Sequence, residues 1–141
     1  MAVLYSNDSA GLGTVPTSNV NGGVIGGRVR RYRAAITLAS QTTSDTIVIG
    51  RVPAGSVFAY GVINTDTSLG SSTVAIGITG TTGKYRAAAV FTATNTPTMF
   101  GPAATVDDAP LTADEEVFIT IAAANFPAAG SLVVDLYFSA P

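Results

Sequence analysis

The sequence predicts an all-β fold: an antiparallel β-sandwich of jelly-roll or Greek-key type over residues 28–141, preceded by an extended N-terminal arm over residues 1–27. Three observations lead there. From residue 28 the chain breaks into short runs in which apolar and polar residues alternate, the period of a half-buried strand. Gly- and Pro-containing turns separate those runs at nearly even spacing, as in sandwiches and barrels. No segment is long enough to be the helix of a βαβ crossover, which excludes a parallel α/β sheet.

Residues 1–27 differ from the rest. The stretches Ser6–Gly13 and Asn19–Gly27 are rich in Gly, Asn and Ser, with isolated apolar residues between. Glycine raises the entropic cost of ordering, so neither a helix nor a central strand is expected there. Val3, Leu4, Tyr5, Val24 and Ile25 are the arm's apolar anchors, placed to dock on a neighbouring subunit; a frayed terminus is the alternative.

In Arg28–Leu38, Tyr32, Ala34, Ile36 and Leu38 share one face, whereas Arg31, Arg33, Ala35 and Thr37 share the other. Gln41–Asp45 is a polar turn and Thr46–Val52 a second strand, stopped by Pro53-Ala54-Gly55. Ser56–Asn64 is a third strand, and Thr65–Gly70 turns the chain. Val74, Ile76 and Ile78 are in phase along a fourth strand, Ser72–Thr79, which Gly80-Thr81-Thr82-Gly83 ends. Lys84–Phe91 is ambiguous: its alanines favour a short helical turn, whereas Val90 and Phe91 favour a strand. Pro97, Pro102 and Pro110 keep residues 94–113 irregular, with a short edge strand near Met99-Phe100. Glu116–Ala122 and Ser131–Phe138 are the last strands, joined by a turn over Asn125–Gly130. The long 92–115 connection suits a Greek key or jelly roll better than a meander. The expected core is Ile36, Leu38, Ile47, Ile49, Val57, Ile63, Val74, Ile76, Ile78, Phe91, Val117, Ile119, Ile121, Leu132, Val134 and Leu136. Pro53-Ala54-Gly55-Ser56 and Pro127–Ser131 read as one type of turn used twice: Pro fixes φ at entry and Gly frees the exit.

Composition narrows function more than any motif does. Only 11% of the 141 residues are charged, against about 25% in ordinary soluble domains. Small monomers stay soluble through surface charge, so neighbours are expected to cover part of this surface, in a homo-oligomer or larger assembly. A neutral monomer solvated by Thr and Ser is the alternative. Cys, His and Trp are absent, which leaves no disulfide, thiolate nucleophile, His-based triad or zinc site. What remains for catalysis is Lys84, arginines, tyrosines and carboxylates, so no enzyme, cofactor or metal is expected. Gly80–Lys84 fails the spacing of a phosphate loop and lacks its strand-to-helix setting. The net charge of −2 argues against a nucleic-acid partner. No secretory signal or membrane-spanning run is visible either.

Four of the seven basic residues, Arg28, Arg30, Arg31 and Arg33, fall within six positions around Tyr32. Arginine suits bidentate pairing with carboxylates across a protein interface. A solvated strand end and a phosphate contact are the competing readings. The acidic counterpart, Asp107-Asp108 with Asp114-Glu115-Glu116, has three: pairing with arginines of an adjacent subunit, calcium binding, or a solvated loop. Tyr5, Tyr32, Tyr60, Tyr85 and Tyr137 are scattered over separate strands and are expected to cap core edges or sit at interfaces rather than form a sugar site.

Several stretches resemble small structural proteins of tailed bacteriophages. They are Arg31–Leu38, Asp45–Gly50, Val52–Gly55, Ala75-Ile76-Gly77, Lys84-Tyr85, Pro97–Gly101, Leu111–Val117 and Pro127–Leu132. The likeness covers about residues 30 to 138 and leaves the arm unmatched. It implies a virion protein, foremost a head decoration (cement) protein, trimeric, bound to the major capsid protein on the capsid surface after assembly in the host cytoplasm. A tail or head-tail connector component, or a host-surface or glycan-binding adhesin, are the alternatives. The arm would order on binding, with Arg28–Arg33 at the junction.

Overall fold

A computed structural model describes residues 26–106 and 109–140. Among the described residues, eight strands run β1 (Arg28–Thr37), β2 (Thr46–Val52), β3 (Val57–Thr65), β4 (Thr73–Ile78), β5 (Thr81–Val90), β6 (Thr98–Phe100), β7 (Glu115–Ala122) and β8 (Ser131–Ala140). A one-turn helix, α1 (Ala103–Val106), follows β6. One sheet has the order β1-β8-β3-β6 and the other β2-β7-β4-β5. Strand pairs β1/β8, β2/β7, β3/β6 and β4/β5 are all antiparallel, as if one long hairpin closed at β4–β5 had been rolled up. Rolling adds the lateral pairs β3/β8 and β4/β7. This is the double Greek key of a jelly roll, and it confirms the expected fold class.

The core lies between the sheets, where alternate residues of both inner faces meet. Val74 and Ile76 of β4 face Val117, Ile119 and Ile121 of β7 within one sheet. Ile63, Leu132, Val134 and Leu136 line the other, and all are essentially buried. Ile47, Ile49 and Ile78, expected in the core, only pack against its margin. The first two lie on edge strand β2, beside the register shift between Val48 and Gly50, and Ile78 ends β4. Phe58, Phe126 and Phe138 belong to the core too, as do Val52 and Leu69.

One ambiguity is settled and two local expectations change. Lys84–Val90 is strand, because hairpin pairing with β4 outweighs the few tenths of a kcal/mol by which alanine prefers helix. The break expected over Gly80–Gly83 shrinks to a tight turn at Gly80, whose φ of +83° suits glycine, and β5 begins at once at Thr81. Within the long connection, Pro102 opens α1, its carbonyl accepting hydrogen bonds from the Thr105 and Val106 amides.

The β3–β4 connection is clasped to the start of β8 by Asp66. Its carboxylate accepts the Ser131 amide (2.8 Å), the Ser131 hydroxyl (2.8 Å) and the Thr67 hydroxyl (2.9 Å). A side chain on Gly130 would collide with this clasp. The Ser131 amide first, then the two hydroxyls, hold the Asp66 carboxyl below its ordinary value. A depressed carboxyl stabilises the fold above its unfolded value of about 3.9, and the gain is lost as pH falls through the lower folded value. Asp66→Asn should therefore lower the urea midpoint at pH 7, and lower it by less at about pH 3. An equal gap at both pH values would show that the charge contributes nothing.

Candidate interaction surface

The arginine-rich half of β1 is the free edge of its sheet, paired on one side only, along its whole length, with β8. Alternation divides its arginines. Tyr32 turns inward, edge-to-face on Phe138 (5.7 Å, 88°) and over Gly50 of β2. Arg30 and Arg28 have the same parity, but both are exposed. Arg31 and Arg33 project from the outer face, also exposed. Val3, Leu4, Tyr5, Val24 and Ile25 lie outside the described residues.

Register sets what surrounds the outward arginines. Arg31 lies opposite Tyr137, which lies beside Tyr60. Arg33 lies opposite Asp135, which neighbours Val62, and Val62 is opposite Met99 of β6. Two rows thus cross the sheet: Arg31–Tyr137–Tyr60 and Arg33–Asp135–Val62–Met99. The register shift between Phe58 and Tyr60 carries Tyr60 outward, where its ring stacks on Tyr137 (4.7 Å, 23°). Met99 is 67% exposed, and Val29 at the β1 end of the same face 62%. Arg33 Nε is 3.2 Å from Asp135 Oδ1, an ion pair without hydrogen-bond alignment.

The other face is plainer. Thr46, Thr120 and Thr73 stand outward there with Phe118, the exposed Val48 and Val90, and the opposed pair Arg51 and Glu116, whereas Ala75 and Gly77 are covered. The tyrosines, scattered along the sequence, are not all scattered in the fold, since Tyr60 and Tyr137 form a stacked pair. Their outward parity against Ile63 and Leu136 is legible in the sequence, but their adjacency depends on which strands pair. Tyr85 also departs from expectation: it is fully buried in the core.

The remaining cations are occupied at home. Arg51 pairs with Asp114 at 3.4 Å in an exposed contact. Lys84 Nζ lies 2.5 Å from Glu115 Oε1, and the Tyr85 hydroxyl donates to Glu115 Oε2 at 2.5 Å. Lys84 and Glu115 border a cleft of about 170 Å³ with Pro110, Leu111 and Thr112. Both Glu115 oxygens are engaged, so the carboxylate fastens the incoming connection to β5 instead of offering a free base. Arg86 turns back on its own hairpin, donating to the carbonyls of Val74, Ala89 and Val90 where β5 carries extra residues. Burial lowers its pKa, yet a guanidinium keeps its charge. Arg28, Arg30 and Arg31 form no ion pair among the described residues. Asp114 and Glu115 thus pair within the chain, Glu116 is exposed, and Asp107 and Asp108 lie outside the described residues. No group of three potential metal ligands, and no helix long and apolar enough to cross a membrane, occurs among the described residues.

No protein-family model matches the chain, and no curated protein sequence does. Solved structures do. The chain is similar to one in the capsid asymmetric unit of cyanophage Pam1, with a TM-score of 0.64 at 18% identity, over 82% of this chain and 86% of that one. It is equally similar to a chain in the capsid of Ralstonia phage GP4, with a TM-score of 0.64 at 19% identity over the same shares. A third likeness is to a chain in the acid-stable capsid of Helicobacter pylori bacteriophage KHP30, with a TM-score of 0.60 at 12% identity, over 80% and 88%. The jelly roll described above is therefore a fold shared with chains found in phage capsids.

Proposed function

We propose that this chain is a non-enzymatic structural protein of a phage virion, and more narrowly a decoration protein that binds the outside of the head across capsomer junctions. One observation carries the reading: its fold matches chains in three phage capsids over at least four-fifths of both partners. The matched chains are thus of similar size to this one, as an accessory module would be. The sparse charge supports it, since a surface made to lie against protein needs fewer ions than one kept in water. The major capsid protein is the partner, and self-association, as a trimer, places several weak contacts on the shell at once, so that avidity multiplies them. Arg28, Arg30, Arg31 and Arg33 sit at that contact. The arm, residues 1–27, adds the anchors Val3, Leu4, Tyr5, Val24 and Ile25, on the pattern of a segment laid along an exposed sheet edge.

The test adds purified chain to undecorated heads of the same phage and images the particles. Occupancy at high copy over the whole shell is expected; density at one vertex only would make it a connector, and none at all would remove the reading. Deleting residues 1–27 should abolish occupancy while leaving the urea midpoint unchanged, because among the described residues the strands and their core lie beyond residue 27. Undiminished occupancy would exclude the arm from binding.

A further inference from the structure

We propose that the outer face of the β1-β8-β3-β6 sheet, centred on the stacked Tyr60 and Tyr137, is the docking face of this protein, and that its occupant is a carboxylate-bearing protein surface. The inference rests on the virion reading above and adds which side of the sandwich meets the shell and with what chemistry. Of the two outer faces, this one alone combines stacked tyrosines, an exposed Met99 and unpaired arginine, the residue types enriched at interface centres. The opposite face carries Phe118 and the exposed Val48 and Val90, but no stacked tyrosines, and its Arg51 is already paired with Asp114.

Charge identifies the occupant. The chain is acidic overall, yet this sheet's edge holds four of its seven cations. Arg33 already has Asp135 beneath it, whereas Arg31, Arg30 and Arg28 have no acidic partner among the described residues. Arg31 stands in the same row as the tyrosine stack, so an acid reaching it would sit beside the rings and be shielded from water. A guanidinium offers a carboxylate two parallel donors, and desolvation next to an aromatic pair strengthens that contact. Val62 and Met99 then supply the apolar floor on the far side of the stack.

Occupancy of undecorated heads reads the face directly. Tyr60→Ser and Arg31→Glu should each weaken binding about 30-fold, the effect of a residue contributing about 2 kcal/mol. Thr46→Glu on the other face should leave binding unchanged. Wild-type binding should fall as salt rises, and that of Arg31→Glu should fall less. A footprint on the unmodified chain guards against misfolded variants. Nitration of Tyr60 and Tyr137 should be suppressed on the particle, with buried Tyr85 unreactive throughout. If Thr46→Glu abolishes occupancy while Tyr60→Ser and Arg31→Glu retain it, or if both surface tyrosines nitrate equally when bound, this face is the wrong one and the decoration reading survives. A wild-type chain that leaves heads bare overturns both.

Discussion

Gly77→Ala is expected to destabilise the domain by about 3 kcal/mol, the upper end of what forcing one carbon into a filled space costs. A Cβ on Gly77 would run into the Thr81 carbonyl oxygen and come within 2.6 Å of the Thr82 carbonyl group. The obstacle is main chain. It belongs to the first residues of β5, immediately after the Gly80 turn, where the tight hairpin leaves no slack. Relief therefore means shifting β5 along β4, and a shift disturbs what the hairpin holds: Arg86 over the Val74 carbonyl, and Lys84 and Tyr85 on Glu115. Gly61→Ala is the informative control. Its Cβ would strike the Phe100 ring, a side chain at the core margin on a three-residue edge strand. That ring can swing out, so about 1–2 kcal/mol is expected. Urea unfolding of both variants reads the difference. Equal midpoints would mean that β5 yields as readily as a side chain, and that the hairpin is not the rigid tip of the roll.

Legibility in the sequence follows the range of the physics. Alternation is a property of one strand, so β1, β2, β3, β4, β7 and β8 stand out from residue spacing alone. So does the inward set Ile63, Val74, Ile76, Ile119, Leu132, Val134 and Leu136. Where pairing decides, composition is silent. Lys84–Val90 carries three alanines and no apolar alternation, and only its partner β4 makes it a strand. Tyr85 escapes a local reading for the same reason: nothing nearby in the chain shows that its hydroxyl finds Glu115, 30 residues away, which lets a tyrosine be buried whole. The two Pro- and Gly-containing turns are legible as turns, and both glycines have positive φ (Gly55 +84°, Gly130 +123°). Their surroundings are not: Gly130 is enclosed by the Asp66 clasp, whereas Gly55 stands in open space. Of the candidate surface, the arginines are visible as a run, but the rows that join Arg31 to Tyr137 and Tyr60 exist only through the register of three strands.

Phe138→Ala should cost about 4 kcal/mol, from lost transfer free energy together with the cavity left behind. Phe138 is 1% exposed on β8, the strand hydrogen-bonded to both β1 and β3. Its ring meets Tyr32 at 5.7 Å, Phe58 at 5.3 Å and Tyr85 at 5.5 Å, all steeply tilted, the geometry in which the edge of one ring meets the face of another. Removal leaves three rings around a hole, and each is tethered elsewhere. Tyr85 is held by Glu115, Phe58 packs on Tyr85 at 4.7 Å, and Tyr32 packs over Gly50. They cannot collapse inward without giving up those contacts, so the cavity should persist and the cost should sit in the upper half of the range for a phenylalanine. Phe138→Leu fills most of the space and should cost less than half as much. Urea midpoints of the two variants measure this, and a Phe138→Ala loss below about 2 kcal/mol would show that the cluster relaxes freely. Because Tyr32 lies within the stretch of β1 that carries the arginines, the same variant should also loosen the edge on which Arg30 and Arg31 are displayed, even where the fold survives.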